Sequence, residues 1–138
     1  MAEGLKTYGL ADWYGHFAAS FFGNTSWQFA LVALFLLYFF THYFFASSTA
    51  QVGALFLPFA AVAIQLGAPA LITCLLFGFG SNLMGAVTHY GLSPGPILFG
   101  AGYVPVRTWW ILGFILSLVY IVTFIFVGGL WWKWLTYF

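Results

Sequence analysis

The 138-residue chain is 64% hydrophobic and 4% charged, with Glu3, Lys6, Asp12, Arg107 and Lys133 as its only formally charged side chains when histidine is neutral. A soluble domain carries about 25% charged residues, so that class is excluded and the chain is read as integral to a lipid bilayer. The same scarcity excludes a nucleic-acid-binding face, and the single Cys74 excludes a disulfide framework or a thiolate metal cluster.

Residues 1–26 mix apolar and polar side chains, and residues 1–14 are too polar for the apolar stretch of a signal peptide. They predict a helix over about residues 10–22 lying in the membrane interface, followed by the linker Gly23-Asn24-Thr25-Ser26. Residues 27–66 form two apolar arms, 27–46 and 50–66, roughly 30 Å and 25 Å long as helices. They fit either two spanning helices or a re-entrant hairpin. Gly67-Ala68-Pro69 is a turn. Residues 70–103 read as one membrane helix broken in the middle, because no helix runs cleanly through the Gly and Pro cluster of loop 88–96. Residues 107–138 are a C-terminal transmembrane helix ending in an aromatic belt around Lys133.

The two breaks are the candidate site. Ser47, Ser48 and Thr49 interrupt residues 27–66 with hydroxyls but no charge, and Thr88, His89, Gly91 and Pro94 lie in the second break. Hydroxyls before an apolar helix serve as N-caps, and a helix start is an anion site. Both breaks precede a fresh helix, which would let two N-termini converge on one anion. Interrupted membrane segments also point to transporter sites. The opposite reading makes the first break a tight loop and the second a linker. His42 and His89 are each read first as hydrogen-bonded structural residues, with the stronger functional claim at His89. No nucleophile, base and carboxylate set exists, so the chain is not read as an enzyme. No metal site is formed by residue spacing.

The run Ser81-Asn82-Leu83-Met84-Gly85-Ala86-Val87-Thr88-His89-Tyr90-Gly91 with Pro94 and Pro96 resembles the divalent anion/sodium symporter family. So do Phe99-Gly100-Ala101-Gly102-Tyr103-Val104-Pro105, Trp109-Trp110, Gly128 to Lys133, and His42 to Ser47 with Thr49-Ala50. The similarity is to the branch of dicarboxylate and citrate exchangers that includes 2-oxoglutarate/malate and citrate/succinate carriers, in its C-terminal part. The resemblance implies an all-α membrane fold, the second inverted repeat of an elevator-type transporter. In it, residues 27–66 form a re-entrant helical hairpin with its tip at 47–49, and residues 88–96 form the unwound loop of a broken helix. Ser48 stands where the family's tip has Asn, Leu92 where this branch often has Thr, and Ser93 where it often has Gly.

The function this implies is secondary transport of di- or tricarboxylate anions, as the C-terminal half of the transport domain of an exchanger. Ser47, Ser48, Thr49, Thr88, His89, Gly91 and Pro94 would bind the anion, with His89 supplying positive charge. Sodium-coupled symport of a dicarboxylate or sulfate is one alternative, with sodium as coupling ion near Ala46, Ser48 and Gly91. A truncated membrane protein without transport activity is the other. The expected partners are the bilayer, the N-terminal half of the carrier and a second copy in a homodimer. The expected setting is a bacterial inner membrane or a plastid inner envelope.

Overall fold

The structure is a computed structural model that describes Ser20 and residues 26–135. Apart from Ser20, the expected interfacial helix falls outside the described residues. Every regular element among those residues is helical. In lipid, a backbone with no water to bond to must satisfy its own N–H and C=O groups, and a helix does so within one segment.

Helix α1, Trp27–Phe40, tightens into a narrow turn over Thr41–Phe44 and then breaks. Helix α2, Ser48–Gln65, follows after a short extended stretch. Its backbone widens to a five-residue π turn over Val52–Phe56 just before Pro58. A proline ring inside a helix clashes with the preceding turn, and the wider turn gives it room. Gly67 then ends the helix at φ 93°. Its N–H reaches Ile64 O at 3.0 Å and Ala68 N–H reaches Ala63 O at 3.1 Å, the paired bonds of a Schellman cap.

Helix α3, Ala70–Leu83, continues through a tight turn at Met84–Ala86 into an irregular loop. Helix α4, Pro94–Gly100, is short. Helix α5, Val106–Trp134, includes a π turn over Phe124–Gly128. The segments Trp27–Phe44, Ser48–Gln65 and Val106–Trp134 are each long and apolar enough to cross a membrane.

The core lies where α1, α2 and α3 meet, built on Phe35, Tyr38, Phe39, Phe77 and Met84. Phe77 receives the rings of Phe35 and Tyr38 edge-on, with centroids 6.0 Å and 5.0 Å away. The Tyr38 hydroxyl donates to Ser81 Oγ at 2.8 Å, and Ser81 Oγ passes its own hydrogen to Phe77 O at 2.6 Å. Polar groups on the apolar helices are thus absorbed by carbonyls one turn back or by a facing helix.

Helix α5 buries a narrow stripe, Gly113, Ser117 and Ile121, at four-residue spacing. A Cβ on Gly113 would lie 2.9 Å from Ala86 O and 2.7 Å from Val87 O. Both neighbours are backbone, so the helix and the loop would have to separate. Gly113→Ala should therefore cost about 1–3 kcal/mol, read as a lower melting temperature in detergent. Gly78→Ala is the control, since nothing lies within 4 Å of its added Cβ. That substitution should leave melting unchanged or raise it slightly. Equal losses in the two variants would contradict the close seat of α5.

Candidate functional site

The two polar breaks meet. Phe45 (φ −112°, ψ 131°) and Ser47 (φ −155°, ψ 133°) are extended, and Ser48 opens α2. Ser48 N–H and Ser48 Oγ both donate to Gly91 O, at 3.2 Å and 2.8 Å. On the other side, Tyr90 Oη donates to Tyr43 O at 2.9 Å. The end of α1 and the start of α2 are therefore held by consecutive residues of one loop.

The hydroxyls at the start of α2 do not act as simple caps. Ser47 stands at the N-cap position but makes no side-chain cap bond, and Ser48 spends its hydroxyl across the break. Gln51 N–H reaches Ser47 O at 3.1 Å as the first regular helical bond. Helix geometry then leaves the N–H groups of Thr49 and Ala50 without a preceding carbonyl. Both residues are exposed. The Thr49 hydroxyl and these two N–H groups make the start of α2 an open donor surface at the positive end of an 18-residue helix.

The start of α4 is different. Pro94 and Pro96 have no N–H, and Gly95 N–H is spent on Leu92 O at 2.9 Å. The expected convergence of two N–H-bearing helix starts is met at α2 alone. What the loop contributes is Thr88, buried with 1% exposure and with Oγ1 unpartnered, and the half-buried His89.

Trp110 Nε1–H donates to His89 Nδ1 at 3.0 Å, and the ring also contacts Tyr90 and Phe99 at centroid distances of 4.9 Å and 4.5 Å. An indole N–H only donates, so Nδ1 must present its lone pair and the ring hydrogen sits on Nε2. That contact is open only to the uncharged ring. The positive charge expected of His89 and the Trp110 bond are alternatives.

Ala46 is exposed beside the tip. A carbonyl oxygen has two lone pairs, and Gly91 O already accepts two hydrogen bonds from Ser48. In this arrangement it has nothing to give a sodium ion, so a cation bound there would need Ser48 to let go. Among the described residues, no group of three or more His, Cys, Asp or Glu is placed to hold a metal ion.

The family described as "Sodium:sulfate symporter transmembrane region" matches residues 1–138. The chain belongs to this family. It is 47% identical over 135 residues to dicarboxylate transporter 1, chloroplastic, of Arabidopsis thaliana, covering 96% of this chain and 24% of that protein. It is 44% identical over 133 residues to the putative malate transporter YflS of Bacillus subtilis (strain 168), covering 96% and 28%. It is 34% identical over 132 residues to the L-tartrate/succinate antiporter of Escherichia coli (strain K12), covering 95% and 27%. The chain spans about a quarter of the length of these relatives.

Sequence reasoning placed His42 among structural residues and did not single out Gln51, Tyr90 or Trp110 for the site. Gln51 ties the two sides of the first break, and His42, Tyr90 and Trp110 reach from one break to the other, through contacts that no local pattern signals. The geometry also separates two neighbours that look alike in sequence. Ser48→Ala should cost about 0.5–1.5 kcal/mol in the ligand-free protein, because its hydroxyl is bonded to Gly91. Thr49→Val should stay within about 0.5 kcal/mol of wild type, because Thr49 is exposed. Detergent melting of the two variants checks this, and an unchanged Ser48→Ala midpoint would show that the hydroxyl bond contributes nothing.

Proposed function

We propose that the chain is the C-terminal half of the transport domain of a secondary carrier for di- or tricarboxylate anions, working as an exchanger. The observation that carries the reading is the bond from Ser48 to Gly91, which joins two uncharged polar breaks at the start of a membrane-length helix. Three relatives named as a dicarboxylate transporter, a malate transporter and a tartrate/succinate antiporter supply the substrate class.

On this reading residues 27–66 are a re-entrant hairpin and residues 88–96 the unwound loop of a broken helix. The domain moves as an elevator against a scaffold formed by the rest of a homodimeric carrier. The setting is multi-pass, in a bacterial inner membrane or a plastid inner envelope. One anionic carboxylate is met by Ser47, Thr49 and the N–H groups at the start of α2. Thr88, His89, Gly91 and Pro94 shape the facing wall.

Removing a hydrogen bond to a charged group costs about 1.5–3 kcal/mol, roughly ten- to a hundredfold in affinity. Thr49→Val in the full-length carrier should raise the KM for malate or 2-oxoglutarate by that factor, with normal expression. A wild-type KM would remove Thr49 from the anion site.

Sodium-coupled uptake of a dicarboxylate or sulfate is the second reading, favoured by the family's description. It requires a cation where Ser48 now occupies Gly91 O. The exchange reading expects counter-transport in proteoliposomes to keep its rate when sodium is replaced by choline. A strict sodium requirement would transfer the assignment to symport.

A further inference from the structure

We propose that His42 is a positioning residue for the anion site, setting loop 88–96 against the start of α2 through Gly91. The inference rests on the functional reading above for what is positioned, but the contact that does it is independent of that reading.

His42 and Gln51 are both fully buried, with 0% exposure, on either side of the break between α1 and α2. Gln51 Nε2 donates to Tyr38 O at 2.7 Å and to Thr41 Oγ1 at 3.1 Å, which fixes the orientation of its amide. Its Oε1 must then accept, and it lies 2.7 Å from His42 Nδ1. The ring therefore carries its hydrogen on Nδ1 and turns Nε2 the other way.

His42 Nε2 and Thr88 Oγ1 are, among the described residues, the two buried side-chain polar atoms with no hydrogen-bond partner. Both flank the same α-carbon. A Cβ on Gly91 would run into His42 Nε2 and would lie 2.9 Å from Thr88 Oγ1. The imidazole thus fills the space where a side chain at residue 91 would go, and Gly91 can sit there only as glycine. Its carbonyl is the acceptor for Ser48 N–H and Oγ. A line of contact accordingly runs from Gln51 through His42 to Gly91 and back to Ser48. It leaves from α2 and returns to α2, so the loop is gauged against the same helix whose start offers the donors. Leaving two polar atoms unpaired in an apolar interior is costly, and such groups in a native fold call for an explanation. Thr88 sits one residue before His89 in the proposed wall, and its buried hydroxyl packs against Gly91 beside the ring that sets the loop.

The test separates positioning from support. An Asn amide nitrogen takes the place of Nδ1, and a Gln amide nitrogen takes the place of Nε2. In the full-length carrier, His42→Asn should keep the bond to Gln51 and melt near wild type, yet raise the KM for malate about tenfold. His42→Gln should lose that bond and melt lower, yet keep the KM within about threefold of wild type. A merely structural residue would give a KM that follows melting in both variants, and that result would overturn the proposal.

A second arm needs no transport. Gly91→Ala should lower the melting temperature in wild type, and in the His42→Asn background about half of that loss should disappear. If wild-type carrier moves no dicarboxylate, the functional reading fails, and this arm alone decides the contact. Equal losses in the two backgrounds would overturn the contact between His42 and Gly91 whatever the substrate.

Discussion

A backbone that leaves the helix away from water releases N–H and C=O groups, at a cost of several kcal/mol for each one left buried and unpaired. This chain leaves the helix twice in its middle, and the two departures answer each other. Gly91 O takes Ser48 N–H and Oγ, Tyr43 O takes the Tyr90 hydroxyl, and local turns pair the N–H groups of Phe45 and Gly95. Neither break could be moved or straightened alone without stranding groups in the other. The paired breaks hold the donors of α2 next to the side chains of the loop.

The apolar part of the structure serves that pairing. Tyr38 is fully buried, packs its ring on Phe77 and Phe59, gives its hydroxyl to Ser81, and offers its carbonyl to both Thr41 and Gln51. One residue near the end of α1 therefore ties the aromatic core to the polar turn. Rings of this kind lose little rotamer freedom and fill volume tightly, so the end of α1 has few ways to move. On the far side, α5 reaches the carbonyls of Ala86 and Val87 across Gly113, next to the start of the loop.

The breaks were legible because hydroxyls, glycines and prolines stood out against long apolar runs, and Gly67 announced the end of α2 for the same reason. Helix ends written in local chemistry are the readable kind. The run Gly78, Gly80, Ser81 and Asn82 is rich in weak helix formers, yet α3 continues to Leu83, with Ser81 and Asn82 bonded to carbonyls four residues back. The bond from His42 to Gln51 crosses nine positions and that from Trp110 to His89 crosses 21, and neither leaves a trace in composition or period. In a chain apolar on nearly every face, periodicity carries little information about which side is inside. His42 could thus be suspected from its place beside a break, but its partner could not.

The two helix starts at the site are unequal, and the inequality follows from covalent chemistry. Pro94 and Pro96 remove two of the three donors that open α4, and the third is used within the loop. The opening of α2 has no proline, and only the Ser48 amide among its first three is engaged across the break. An anion at the junction would thus find backbone donors on one side and, on the other, the half-buried ring of His89 with the nitrogen that Trp110 leaves open, while the Thr88 hydroxyl stays buried behind the loop. The proline side still has a use, because a proline inside a helix lacks the N–H for the preceding turn and its ring clashes with that turn. Pro94 and Pro96 keep the loop from winding into a longer α4, which would carry Gly91 away from Ser48. Stiffness on one wall and donors on the other is a division of labour that needs no buried charge from these residues.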